Sequence, residues 1–161
     1  MIVEVEEVIR KIKTKEIWGA SDTALASAEV LTILAKRSKA KTAKEVRREL
    51  EAATHQLVKA RPSCAPLRNF ASFIGREVND LGDVGLTELQ NLIEASASRF
   101  MESINEAKNK IGEIGSKLIR DNDVILTHGF STTVLAILGK VVEKGKRIHV
   151  FVTEARPEFE G

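Results

Sequence analysis

The chain has 161 residues, 43% hydrophobic and 30% charged, and its 25 basic and 23 acidic side chains leave a formal net charge of +2. That composition allows a buried core and excludes a strongly acidic or basic partner as the dominant theme. No apolar run of about 18 residues could cross a membrane, the lone Cys64 makes neither an intrachain disulfide nor a cysteine-built metal site, and the acidic start differs from a basic signal peptide; a cytoplasmic protein with no metal and no cofactor is expected.

Residues 2 to 16 place Ile2, Val5, Val8, Ile9 and Ile12 among charged positions, which predicts a short amphipathic helix. Gly19 then breaks the pattern, and Ser21 or Asp22 can cap a second helix carrying Ala24, Ala26, Ala28, Val30, Leu31 and Leu34. Its small residues predict close packing. After a loop at 38–41, Thr42 and Glu45 match a capping box. That opens a helix with Val46, Leu50, Ala53, Leu57 and Val58, stopped by Pro62. Pro66 suits the first turn of a fourth helix, with Leu67, Phe70, Ile74 and Val78 on its apolar face.

From Leu86 the apolar residues recur mostly at alternating steps of four and three through Leu89, Ile93, Ala97, Phe100, Ile104, Ala107, Ile111, Ile114 and Leu118. The spacing predicts one long helix over about 86–120, with the 3.5-residue seam of a bundle. Gly112 and Gly115 inside it mark close backbone approach, or else cost helix stability. The seam reads as intramolecular core, with a share open to subunit association.

Residues 1–120 thus predict a helical domain. Residues 121–161 then change character, because Val124-Ile-Leu126 and Ile148-His-Val-Phe-Val152 are β-type runs flanking a helical pattern at Leu135, Ile137, Leu138, Val141 and Val142. Two buried strands around one crossover helix make a parallel βαβ unit. Ser131 can cap its helix, and the backbone N–H groups after His128-Gly129-Phe130 would face any anion beyond the first strand. An ordinary strand-to-helix turn fits the same residues. A two-stranded parallel sheet cannot bury both faces, so the sequence is expected to be the amino-terminal part of a longer protein.

Thr127-His-Gly-Phe-Ser-Thr-Thr133 and Val152-Thr-Glu-Ala-Arg-Pro-Glu-Phe-Glu-Gly161, with Trp18-Gly-Ala20 and Arg61-Pro62 upstream, resemble the blocks of one superfamily. It joins the alpha, beta and delta subunits of translation initiation factor 2B with methylthioribose-1-phosphate isomerase and ribose-1,5-bisphosphate isomerase. The resemblance covers nearly the whole chain. It implies a fold of the α+β/α kind, an amino-terminal helical bundle followed by the start of a Rossmann-like α/β domain.

Two departures from the isomerases stand out. They carry a catalytic cysteine directly after Leu-Thr-His, where this chain has Gly129, and a phosphate-binding arginine where it has Trp18. Glycine cannot transfer a proton. The resemblance therefore implies a non-catalytic regulatory and assembly subunit of archaeal type, not an enzyme. Such a subunit would bind the alpha subunit of initiation factor 2, associate with itself or related subunits, and keep a nucleotide or sugar-phosphate pocket. The alternative is an aldose–ketose isomerase of sugar phosphates. Gly19, Ala20, Arg61, Gly129, Phe130, Ser131, Thr132 and Arg156 are the candidate phosphate contacts, since helix starts and guanidinium groups grip phosphate; no residue is assigned to catalysis.

Three other features take bland readings. Glu154 is read as fixing loop geometry, His128 as a hydrogen-bonded structural group, and Cys64 as a small buried side chain. His55 and His149 have no partners at metal-ligand spacing. The basic stretch at 36–48 could face RNA or an acidic partner, but it lacks interleaved aromatics and reads first as a solvated surface.

Overall fold

The computed structural model describes residues 2–157 and 159; the remaining residues of the 152–161 block, Glu158, Glu160 and Gly161, lie with Met1 outside the described residues. Six helices and two strands are found among the described residues. They divide into two compact units, Met1–Ser103 and Ile104–Gly161.

The first unit is helical. In α1, Val3–Lys13, the three- and four-residue spacing buries Val5, Ile9 and Ile12 on one face. Helix α2, Ala20–Arg37, is alanine-rich, and Ala24, Ala28, Val30 and Leu31 lose all solvent contact. Its N-cap is Gly19, so the expected cap at Ser21 or Asp22 falls inside the first turn. The reason is steric and electrostatic. A Cβ at position 19 would lie 2.5 Å from Asp22 Oδ2, and a carboxylate over a helix start is favoured by the unpaired N–H groups there.

Helix α3, Ala43–Ala60, starts as predicted: Thr42 Oγ1 accepts the Glu45 N–H at 3.2 Å. The Glu45 carboxylate reaches back to the Lys41 N–H at 2.7 Å, one residue beyond the usual capping-box partner. Helix α4, Ala65–Asp80, buries Leu67, Phe70, Ile74 and Val78, the face read from sequence. Helix α5, Leu86–Leu118, enters this unit with Leu89, Ile93 and Ala97 fully buried, and Phe100 packs on Phe70 with ring centroids 4.6 Å apart and planes tilted by 50°. The basic stretch is tied to neighbours within the unit. Lys36 pairs with Glu94 at 2.8 Å, Arg37 pairs with Glu4, and Arg47 donates to the Val78 carbonyl at 2.6 Å.

The second unit contains the tail of α5, strand β1 (Val124–His128), helix α6 (Thr132–Glu143) and strand β2 (His149–Thr153). The strands pair in parallel, Val124 opposite His149 and His128 opposite Thr153. Helix α6 is the crossover a parallel pair requires. It lies against α5 at the two glycines: a Cβ on Gly112 would sit 3.1 Å from the Ala136 carbonyl oxygen, and one on Gly115 only 2.8 Å from Ile137 Cδ1. Both are therefore points of close approach. Lys146 Nζ donates to the Ser116 and Ile119 carbonyls at 3.0 and 2.5 Å, closing the end of α5.

The sheet differs from expectation in its burial. Residues of β1 alternate between half-buried and exposed, and every residue of β2 is exposed. Two strands leave faces and edges that one crossover helix and a helix tail do not cover.

Candidate functional site

The candidate residues fall in both units. In the helical unit, Arg61 follows the last turn of α3 and reaches the start of α2. Its Nη1 donates to the Trp18 carbonyl and to Thr23 Oγ1, the latter at 2.9 Å, while its guanidinium carbon lies 4.4 Å from the Trp18 ring centroid. Thr23 is fully buried and passes its own hydroxyl hydrogen to the Gly19 carbonyl at 2.9 Å. Cation–π contact and two hydrogen bonds thus hold Arg61 beside Gly19 and Ala20. Both described hydrogen bonds use Nη1, which leaves the Nε–Nη2 edge for an anion. Trp18 therefore binds the guanidinium of Arg61 at the place where the isomerases have an arginine.

In the second unit the remaining candidates gather at the carboxyl end of the sheet, where α/β folds hold ligands. Gly129 has φ +62°, and its N–H donates to the Thr153 carbonyl at 2.9 Å, extending the ladder by one residue. A side chain there would meet both the left-handed backbone and Ala155 Cβ at 3.3 Å. Phe130 is exposed. Ser131 caps α6 by accepting the Val134 N–H at a long 3.4 Å, so the Thr132 and Thr133 N–H groups remain without intrahelical acceptors and point outward from the helix start. Arg156 is exposed, pairs with Glu154 at 2.9 Å, and lies over the Phe159 ring at 5.6 Å. Glu154 fixes Arg156 rather than standing free.

Sequence reading did not join His128 to Thr153. The two strand-end residues face each other in the parallel register, and His128 Nδ1 lies 2.7 Å from Thr153 Oγ1. Counting back from the ends of two five-residue strands would have found the pair. Among the described residues no group of three or more His, Cys, Asp or Glu side chains could hold a metal ion, and no helix is long and apolar enough to cross a membrane.

The sequence pattern of the Initiation factor 2 subunit family matches residues 16–161. Over the full chain the protein is 39% identical to a ribose 1,5-bisphosphate isomerase of Pyrococcus furiosus, and covers 51% of that protein. It is 36% identical to a putative translation initiation factor eIF-2B subunit 2-like protein of Pyrococcus horikoshii, over 96% of this chain and 51% of the relative. Among solved structures, a translation initiation factor eIF-2B of Pyrococcus horikoshii superposes with a TM-score of 0.83 at 34% identity, over 100% of this chain and 54% of its own. The chain spans about half the length of the curated relatives it matches. Four further relatives at 32–35% identity also carry the name ribose 1,5-bisphosphate isomerase. These relatives overturn the reading of a non-catalytic regulatory subunit that is not an enzyme. Gly129 excludes a thiol at one position; it does not remove every titratable group from the strand end.

Proposed function

The chain belongs to the Initiation factor 2 subunit family, and on that premise we propose that it acts as an aldose–ketose isomerase on a sugar bisphosphate of the ribose 1,5-bisphosphate kind. The observation that carries this reading is the carboxyl end of the β1–β2 pair. It sets an imidazole, His128, a short turn before the start of α6, where the first N–H groups, those of Thr132 and Thr133, have no acceptor within the helix itself. Isomerisation of a phosphorylated sugar needs those two things, a proton-transfer group and a grip on phosphate.

Under this proposal the Phe130, Ser131 and Thr132 segment takes one phosphate through backbone N–H groups and the Ser131 hydroxyl. Within the helical unit, taken by itself, Arg61, positioned by Trp18 and Thr23, is proposed as a separate anion contact through its Nε–Nη2 edge, with Gly19 and Ala20 beside it at the start of α2. Arg156 supplies a further cation from the loop after β2. Gly129 contributes by letting the backbone turn, since its N–H already serves the sheet. The βαβ unit is proposed as the first unit of a Rossmann-like domain; the bare faces of β2 support that reading.

The test is a coupled assay of ribose 1,5-bisphosphate turnover by the purified full chain, with product identified as the 2-ketose bisphosphate. Turnover that falls at least tenfold in Arg156→Met supports the assignment. Absence of turnover at saturating substrate in a folded preparation overturns it.

A further inference from the structure

We propose that the groove between α3 and α4 is a docking surface for an acidic amphipathic helix of a partner protein. It concerns the helical unit by itself and is independent of the isomerase reading.

Two consecutive helices build the groove. Leu50 of α3 with Ile74 and Val78 of α4 line its floor, Val58 and Ala71 stand half-buried above them, and together they leave a cavity of about 380 Å3. That volume lies within the range of ligand-binding clefts. Gly75 keeps the groove open, since a Cβ built there meets nothing within 4 Å.

The banks of the groove are basic. Lys44, Arg48, Glu51 and His55 follow at steps of four, three and four, so they share one exposed stripe of α3. Glu51 is the one acidic side chain among the described residues that line the cavity. Arg47 donates to the Val78 carbonyl at 2.6 Å and to the Gly82 carbonyl, which leaves its charge without a carboxylate. Arg76 stands next to Gly75 on α4 and is exposed. Lys36 and Arg37 of the same basic stretch are paired with Glu94 and Glu4, whereas among the described residues Lys44, Arg48 and Arg76 have no ion-pair partner. These placements act against their own helix. Lys44 lies in the first turn of α3, at the positive end of its dipole, and repels Arg48 across one turn. An acidic partner supplies the missing counter-charges.

The shape selects the kind of partner. The lining runs from Arg47 to Val58 on α3, about 16 Å along the axis, a trough three helical turns long. Its apolar floor takes the buried side chains of an amphipathic helix laid along it, while the banks meet that helix's carboxylates. No aromatic side chain among the described lining residues offers a base a stacking surface, which sets nucleic acid aside.

Fluorescence anisotropy with the full chain tests this. The probes are fluorescein-labelled synthetic helices with Leu or Phe at steps of three and four and Glu elsewhere, a matching set with Lys in place of Glu, and a single-stranded poly-U RNA. The acidic set should bind and the lysine set should not. Gly75→Leu fills the trough at a helix position with room for a side chain, so it retains the fold and should weaken binding by about tenfold or more. Lys44→Glu and Arg48→Glu together should weaken the acidic set by a similar factor and transfer binding to the lysine set. That reversal puts a carboxylate at the start of α3, where the helix favours it. The proposal is overturned if the acidic set does not bind, or if either variant leaves its affinity within about threefold. A poly-U complex lost in Gly75→Leu would make the occupant a nucleic acid, and self-association lost in Gly75→Leu would make it a second copy; either result also overturns the proposal.

Discussion

The two units bury their apolar side chains to very different degrees. In the helical unit Phe70 is 1% exposed, and Leu31, Leu67, Leu89 and Ile93 have no solvent contact. In the βαβ unit Leu126 is 73% exposed, Phe151 63% and Leu118 80%, although these residues are as apolar as the first set. The helical unit encloses its own core with five helical segments. The βαβ unit does not, and large apolar side chains of β1 and β2 stand exposed. Stability is therefore concentrated in one unit, while the candidate chemistry at the sheet edge sits in the other.

The largest expected effects are substitutions that probe this contrast. Phe70→Ala removes a ring that contacts Phe100 at 4.6 Å inside a closed core, and should cost about 3–5 kcal/mol in denaturant unfolding. Phe151→Ala, of equal chemical size, should cost less than about 0.5 kcal/mol, as surface changes do. A loss above 2 kcal/mol for Phe151→Ala would break the comparison, because it would mean that β2 is covered.

A step smaller is the one tight seam of the βαβ unit. A side chain at position 115 would enter the space of Ile137, 2.8 Å away. Gly115→Val should destabilise by about 1–3 kcal/mol through overpacking. Gly139, which has nothing within 4 Å of a built Cβ, should accept Ala and gain from helix propensity, by up to about 1 kcal/mol. If the two substitutions had the same effect, α6 would not lie on α5 as described.

The caps come next. Thr42→Ala removes an acceptor 3.2 Å from the Glu45 N–H and should lower stability by about 1 kcal/mol. Ser131→Ala removes a longer contact of 3.4 Å, so its effect should be smaller. A larger effect at Ser131 than at Thr42 would mean that the α6 start contributes more order than its geometry suggests.

These residues also mark what could be read before any coordinates. Helix faces were legible because burial in the first unit follows a 3.6-residue period, as at Leu67, Phe70, Ile74 and Val78. Thr42 and Ser131 were legible because a capping side chain acts within three residues. The N-cap at Gly19 was not, since it depends on where the Asp22 carboxylate lands. Strand exposure was legible only in part: a two-stranded parallel sheet was expected to leave a face bare, but Phe151 reads as core from its type and nothing local marks it as exposed. At the site, Gly129 and Ser131 were found from local pattern. The His128–Thr153 pair was missed because it joins residues 25 positions apart through register. The inference from Gly129 to a chain that is not an enzyme is overturned by the relatives named ribose 1,5-bisphosphate isomerase, because one position was weighed against a resemblance that runs along the whole chain.

The smallest effects come from the exposed ion pairs, which both units carry. In the helical unit, the Arg10 guanidinium bonded to Glu7 at 2.8 Å lowers the Glu7 carboxyl from its ordinary 4.5 to about 2. In the βαβ unit, the Lys144 ammonium at 2.8 Å lowers the Glu113 carboxyl, with Lys140 adding to it. Both folded-state values lie below the unfolded ones, so each pair's stabilisation is fully present above about pH 4.5 and is lost as pH falls toward the folded value. For Glu7 that window runs from 4.5 down to about 2. All of these groups face solvent, so salt should screen the effect. Unfolding midpoints measured between pH 6 and pH 2.5 should fall in Arg10→Met by less than in the parent, and the difference should shrink in 1 M salt. An acid dependence unchanged by Arg10→Met would locate the acid-labile carboxylates elsewhere, with Glu113 and Lys144 the next pair to remove.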